Sequence, residues 1–422
     1  MEIRLPYGKE YLFITLDGEA DIITGKDLPA LDSAYEKILQ ALRRPLNCRP
    51  LREQVSPADR IVIVHTDITR ATPNYILIPA IIDELLDSGA EEKNITLLNG
   101  TGSHRGQSRD ELAVMLGEEV VQCYRVIQHD AFDPPGLVFT GRTESGNDIY
   151  LNREYVEADI RIVTGFIEPH FFAGFSGGPK ALLPGIAGIE SIMANHNAIH
   201  ISSPCATWGI TTGNPLWEEI ARAASFAMPH FCLNVSLNAD KGITGIFAGE
   251  LFSAHAEGCA FVANQAMVPV LQPYDIVVTT NSGYPLDQNL YQAVKGLSAA
   301  AGITKKGGAI VMAAACAEGM PDHGNFRNIL EAHDDPQSLL RSLGPNTVPD
   351  QWQAQILAKI LLHCSVYLYS GGLDDDDLKT AMIQRCGNIA DTVEKLRAAY
   401  GGNARIAVMP EGPLTIPYVM PA

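Results

Sequence analysis

The sequence predicts an α/β protein of two domains, each with a mainly parallel sheet flanked by helices and with the active site in the cleft between them. Three observations carry this prediction. Short β-branched runs alternate with longer helical stretches along the chain. The 422 residues exceed what one hydrophobic core usually serves. A content of 46% hydrophobic and 19% charged residues is that of a globular chain and too apolar for disorder.

The first residues, MEIRLPYGKEYLFITL, read as a strand pair; they lack the charged-then-apolar order of an export leader. Ile61 to His65 is a strand, followed by TDITRAT and a helix with Thr72 as N-cap and Pro73 in its first position. Ile95 to Leu98 leads into NGTGSHRGQ, after which Ser108 and Glu111 have capping-box spacing for a helix to Leu116. Ile160 to Thr164 leads into GFIEPHFFAGFSGGPK, the richest loop in the chain. A helix from Ile189 to Ile199 follows, then a hairpin centred on Asp240-Lys241-Gly242, then a helix ending at Ala266. MVPVLQPYD, with two prolines before a new strand, reads as the linker.

This divides the chain into an N-terminal domain over 1–270 and a C-terminal domain over 271–422, with roughly the last 15 residues free to return to the first. The second domain opens with a strand at Ile276 to Thr280 and a helix near Asn289 to Ala301, then a strand at Ala309 to Ala315. Helices over Pro336 to Leu343 and Gln351 to Leu362, a strand at Ser365 to Tyr369, a helix from Lys379 to Tyr400 and a strand at Ile406 to Met409 complete it. The acidic run Asp374 to Asp377 suits a helix N-terminus, where carboxylates face the positive end of the dipole.

A net charge of −18 argues against nucleic acid or anionic lipid as partner, since both require a basic face. No apolar run is long enough for a membrane span, so the cytoplasm is the expected location. Eight cysteines without a CxxC pair suggest reduced thiols, not a disulfide framework or a structural zinc site.

In open parallel sheets, ligands bind beyond the carboxyl ends of the strands, and there the reactive residue types collect. The first loop carries Asp67 and Arg70, the second His104 and Arg105, the third Glu168, His170 and Lys180. Tyr291, Gln292 and Lys295 sit near the start of a helix in the second domain. Each has a plainer reading. Asp67 and Arg70 could be a local ion pair. His104 among Gly100, Gly102 and Gly106 could mark an anion-cradling loop. Lys180 follows Pro179 and precedes Ala181, which does not fit a Walker A motif. His196 and His200 have the i, i+4 spacing of a zinc pair, but Asn197 stands where a zincin needs glutamate. Trp352 reads as an amphipathic core position. The third loop is different, because ordering so many glycines around an acid, a histidine and a lysine exceeds what a turn requires. Its Lys180 is a natural covalent handle or anion clamp.

Five segments together resemble the nickel-dependent lactate racemase family, which includes other 2-hydroxyacid racemases and epimerases. They are TDITRATP (66–73), NGTGSHR (99–105), EPHFFAGFSGGPKALLPGIAG (168–188), NH (195–196) and DQNLYQAVKG (287–296), in the family's order and spacing. The resemblance implies that Lys180 carries a nickel-pincer nucleotide through a thioamide link, with His196 as the metal's protein ligand. It implies acid–base roles for His104 and His170, and a substrate carboxylate held by Arg70 and Lys295 beside Tyr291 and Gln292. Asp67, Gly100, Gly102, Gly177 and Gly178 would seat the cofactor. The implied reaction inverts C2 of a 2-hydroxy acid through a 2-keto acid. Hydride transfer avoids a carbanion beside a carboxylate, and two bases serve the two enantiomers. Proteins that synthesise the cofactor are implied partners; the oligomeric state, a homo-oligomer included, is left open. The loop reads GGPK where the family commonly has a basic residue before the lysine, and Ala71 stands where proline is common. These departures leave substrate choice open.

Two other readings compete. One is a zinc-dependent hydrolase or lyase acting on a phosphate-bearing ligand, with the metal at His196 and His200. The other is a nucleotide-binding sensor without turnover.

Overall fold

The computed structural model describes residues 1–322, 324–344 and 346–420. The chain forms two compact units, both discontinuous: residues 1–26, 196–203 and 264–422 make one, and residues 27–195 and 204–263 the other. Where the sequence suggests one boundary near residue 270, the chain passes between the units several times. The opening strand pair, β1 (Glu2–Tyr7) and β2 (Glu10–Thr15), is antiparallel as expected, and short β3 (Asp21–Ile22) follows. All three belong with the C-terminal residues.

The unit 27–195 plus 204–263 is built on β4 (Ile61–Thr66), β5 (Ile95–Gly100), β6 (Arg125–Gln128), β9 (Ile160–Phe166), β12 (Phe231–Leu237) and β13 (Ile243–Gly249). Between β6 and β9 lies a hairpin of β7 (Leu137–Arg142) and β8 (Asp148–Asn152). After β9 comes a two-residue ladder of β10 (Pro169–His170) and β11 (Gly174–Phe175). The main sheet runs β13-β12-β9-β4-β5-β6, all parallel except β13. From β4 the chain builds outward through β5 and β6, then returns to β4's other side with β9. The switch point of the sheet therefore lies between β4 and β9.

Alternate residues of these strands, Ile61 and Ile63, Ile95 and Leu97, Ile160 and Ile162, share one core with Leu77, Ile78, Ile81 and Leu85 of the helix Asn74–Asp87. That helix begins one residue later than expected, with Pro73 as its cap and no side-chain capping bond. Thr72 is therefore not its N-cap. The capping box of Ser108 and Glu111 is present on the helix Arg109–Leu116. The expected helix Ile189 to Ile199 is broken into Ile189–Asn195 and Ala198–Ser202, because Asn197 accepts from the His200 amide and starts a new helix.

The other unit has β14 (Met267–Val270), β15 (Tyr274–Thr280), β16 (Thr304–Ala313), β17 (Ser365–Tyr369), β18 (Gln384–Arg385), β19 (Ile406–Met409) and β20 (Ile416–Val419). Its sheet order is β18-β17-β16-β15-β19-β3, parallel throughout. MVPV is a strand, not a linker: β14 pairs in parallel with β20, which keeps the chain's last described strand in this unit. The expected helix from Lys379 to Tyr400 is two helices, Asp375–Thr380 and Ile389–Ala399, with β18 between them. Asp374 caps the first, and the acidic run occupies its first turn as its charge predicts.

Among the described residues no helix is long and apolar enough to cross a membrane. All eight cysteines are free thiols, and Cys232, Cys259, Cys316, Cys364 and Cys386 are buried.

One ion cluster ties the helix Asn74–Asp87 to its neighbours. Glu84, whose side chain is 0% exposed, accepts from Arg43 Nε at 2.8 Å and Arg52 Nε at 2.6 Å. Burial pushes its carboxyl up, but the hydrogen bonds and charges of the two arginines hold it below the usual carboxylate range. Glu84→Ala should lower the unfolding free energy by about 2 kcal/mol, less than a fully buried pair would lose, because both guanidinium groups keep contact with water. A carboxyl depressed in the folded state stabilises above its unfolded-state pKa and loses that contribution as pH falls through its folded one. The urea midpoints of wild type and variant should therefore converge on acidification; a gap that stays constant would count against this account.

Candidate active site

The loop after β9 turns back on itself before reaching Lys180. Ser176 closes its base: its hydroxyl donates to the Phe166 carbonyl at 2.9 Å and accepts from the Glu168 amide at 2.9 Å. His170 ends β10, stacked on Phe171 at 5.2 Å and meeting Phe172 edge-on at 4.5 Å. His170 Nδ1 accepts from the Ala173 amide at 3.2 Å and, more weakly, the Phe172 amide at 3.5 Å.

Gly177 and Gly178 then run with positive φ, +74° and +51°. A Cβ on Gly177 would come 2.8 Å from Asn234 Oδ1, and one on Gly178 would come 2.4 Å from His255 Cδ2. Only glycine combines that backbone with that approach. The Gly178 amide donates to Asn234 Oδ1 at 3.1 Å, and His255 Nε2 donates to the Ser176 carbonyl at 3.0 Å. Burial holds the His255 ring neutral, its pKa lowered to about 4.

Lys180 emerges from this cradle with its ammonium 5.9 Å from the Phe172 ring centre. Burial lowers its pKa to about 7 with help from the charge of Arg70, against an opposing pull from Glu168. A substantial fraction of this amine is therefore uncharged at neutral pH, as a nucleophilic lysine requires.

The loop after β5 brings His104 to the residues that follow β4. His104 Nδ1 lies 2.7 Å from Asp67 Oδ2, and Thr69 donates to Asp67 Oδ1 at 2.7 Å. Burial pushes the Asp67 carboxyl up, yet the hydrogen bonds from His104 and Thr69 and the nearby positive charges keep it below the usual range. An ionised carboxylate can only accept, so His104 carries its proton on Nδ1 and turns Nε2 away from Asp67. The resemblance places Asp67 at the cofactor; here its contact is with the imidazole. Arg70 follows on the same turn, its amide donating to the Asp67 carbonyl at 3.1 Å.

The glycines of this loop are closely packed. The Thr101, Gly102 and His104 amides donate to Asn99, Gly185 and Thr101 carbonyls, so they are already engaged within the protein. Gly100 ends β5 against the His65 and Gly185 carbonyls, 3.2 and 3.3 Å from where a Cβ would stand. The far end of the loop is held by Gln128, whose amide group accepts from the Gln107 amide and donates to the Gln107 carbonyl.

The C-terminal unit holds a second group. Asn289 caps the helix Leu290–Ala301, whose first turns carry Tyr291, Gln292 and Lys295 as expected. Asn281 accepts from the Gly296 amide at 2.8 Å and donates to the Gln292 carbonyl at 3.1 Å. His196, only 6% exposed, packs its ring 5.0 Å from Trp352. Trp352 donates from Nε1 to the Tyr291 hydroxyl at 3.2 Å, so it is more than a core position. Sequence reasoning missed this link because 61 residues separate the partners. The helix break at Asn197 also separates His196 from the helix of His200, so the pair does not share one helical face. Among the described residues no cluster of three or more His, Cys, Asp or Glu has metal-binding geometry.

Comparison with known proteins places these features in context. Residues 7–209 match the lactate racemase N-terminal domain model, and residues 270–416 match the lactate racemase C-terminal domain model. The chain is 37% identical over 419 residues to the lactate racemase of Lactiplantibacillus plantarum, covering 97% of this chain and 98% of the relative. It is 35% identical over 418 residues to that of Thermoanaerobacterium thermosaccharolyticum, covering 97% of each. The structure of the lactate racemase apoprotein from the latter organism superimposes with a TM-score of 0.92 over 99% of this chain and all of that one. A Thermotoga maritima crystal structure, 18% identical with a TM-score of 0.67, shares the fold.

In protein whose Lys180 is unmodified, reductive methylation of that residue, followed by peptide mass spectrometry, should reach half its limiting rate near pH 7. Exposed lysines should do so at roughly pH 10. Arg70→Ala removes a neighbouring cation and should move the Lys180 midpoint upward. A wild-type midpoint in the ordinary lysine range would show that the cradle does not perturb the amine.

Proposed function

The chain belongs to the lactate racemase family and is an isomerase, and on that premise we propose that it inverts C2 of a 2-hydroxy acid, with lactate the first candidate. The observation that carries the proposal is the Lys180 amine, depressed to about 7 at the end of a turn that only glycine can make. A structural lysine needs neither feature. A lysine that must form a covalent bond to a cofactor benefits from both.

The residues present fit the family's nickel-pincer nucleotide. Lys180 would carry it through a thioamide link, and the buried imidazole of His196 would be the protein ligand to nickel. Each Asp67 oxygen keeps a lone pair for a ribose hydroxyl beyond its present bond. When bound, the group supplies a hydride acceptor and so spares the substrate a carbanion next to its carboxylate.

The protein's own residues do the rest. Arg70, on the loop after β4, and Lys295, on the helix Leu290–Ala301 with Tyr291 and Gln292, are the residues that the family resemblance implies for the substrate carboxylate. His104 accepts the hydroxyl proton at Nε2, and the Asp67 carboxylate stabilises the imidazolium that results. His170 attends the oxygen of the opposite enantiomer. Phe171 and Phe172 flank this histidine and keep water from the oxygen during proton transfer. The zinc-hydrolase reading loses the shared helical face of His196 and His200 on which it depended.

The test is expression beside the cofactor-synthesis proteins, with nickel content and intact mass confirmed. D- and L-lactate, and single enantiomers of longer 2-hydroxy acids, are then incubated separately with the protein. At least one pair should converge on a racemic mixture by chiral chromatography, and Lys180→Ala should lose both the mass adduct and the activity. Nickel-loaded, adduct-bearing protein that leaves every enantiomer unchanged would remove the proposal.

A further inference from the structure

The two histidines proposed for proton transfer are held in opposite ways, and the difference bears on how each can act. His104 Nδ1 faces a carboxylate, which can only accept, at 2.7 Å. His170 Nδ1 faces the Ala173 and Phe172 amides at 3.2 and 3.5 Å, which can only donate. A neutral imidazole has one protonated nitrogen and one lone pair, and the partner of one nitrogen decides what the other presents. Building on the acid–base roles argued above, we propose that the two rings rest in opposite tautomers, His104 protonated on Nδ1 and His170 protonated on Nε2.

The consequence is chemical. His104 presents a lone pair at Nε2. It can take a hydroxyl proton at once: the O–H bond breaks, an N–H bond forms, and the electron pair stays on oxygen. The imidazolium that results keeps its Nδ1–H toward the Asp67 carboxylate, so no contact is lost. His170 presents Nε2–H, which can donate a hydrogen bond to a substrate oxygen but has no lone pair to receive a proton. To become cationic it must place a hydrogen on Nδ1, against the Ala173 and Phe172 amides. The turn 170–173 must therefore open, or the ring rotate, each time His170 takes up a proton. Asp67 is a positioning residue for one half of the reaction, and the backbone at 172–173 restrains the other half.

Kinetically, the half-reaction through His170 carries an extra conformational step. The two enantiomers of a simple 2-hydroxy acid are equal in free energy, so kcat/KM must be the same from either side. The asymmetry can appear only as kcat and KM shifted by one common factor between enantiomers.

The direct test does not need activity. Full-length protein labelled with 15N at histidine, without cofactor and near pH 8, is examined by long-range 1H–15N correlation, which identifies the unprotonated ring nitrogen of each imidazole. His104→Gln and His170→Gln assign the two signals by their loss. The expected result is an unprotonated Nε2 in His104 and an unprotonated Nδ1 in His170. In Asp67→Asn the side-chain amide can donate to Nδ1, so the His104 population should move toward the Nε2-protonated form. In the loaded enzyme the same substitution should lower kcat by roughly 100- to 10,000-fold, the scale of a general base lost to the wrong tautomer. The same tautomer in both wild-type rings, or an Asp67→Asn protein that leaves the His104 signal unmoved, overturns the inference. Absence of racemisation with the opposite tautomers in place would instead defeat the functional reading and leave the ring assignments standing.

Discussion

Parallel strands that leave a sheet toward opposite sides cannot have their connecting loops cross, and the space between them is the one place at the sheet's edge where several loops converge. In this protein that place lies between β4 and β9. The segments after β4, β5 and β9 bring Asp67 with Arg70, His104, and His170 with Lys180. The convergence is topological; what turns it into a site is the support beneath. Asn234 on β12 and His255 on the helix Leu251–Ala266 lie so close to the backbone at 177–178 that no side chain fits there. Lys180 thereby enters a low-dielectric pocket from its own main chain, and the cost of burying its charge appears as a weakened hold on its proton.

The supporting residues divide by chemistry. Neutral groups, Asn234, Ser176, Gln128 and the uncharged His255, fix backbone. Charged ones, Asp67, Arg70 and Glu168, act on titrating side chains. The neutral groups bond mainly to main-chain atoms, which do not titrate, whereas a buried charge acts on every titrating side chain near it.

Much of this was legible in the sequence. The β-branched runs at 61–65, 95–98, 160–164 and 276–280 each fall within a strand, since a run buried on both faces has nothing else to do. The loops were legible because their residue types are costly without a purpose. What escaped notice depended on distant partners. β6 and β7 have no buried residue, and β8, though mostly buried, is only five residues long with polar residues at both ends. Met267–Val270 looked like a linker because of Pro269, and becomes a strand only through pairing with Ile416–Val419. The helix break at His196 came from a local competition that favoured Asn197 as a cap. Asp67 could be located but not assigned, because its contact with His104 spans 37 residues.

The short helix Ala198–Ser202 is one turn long, and a single turn does not persist by itself in water. Its carbonyls at Ala198 and Ile201 are held by Gln355 and Lys359 of the helix Gln351–His363. Those residues leave the ribosome 157 and 158 positions after the carbonyls they hold. A nascent chain that already contains every loop residue from Asp67 to Lys180 still lacks the clamp that fixes the backbone beside His196. Synthesis order thus sets this histidine in place late, and its ordered surroundings are a property of the nearly finished polypeptide.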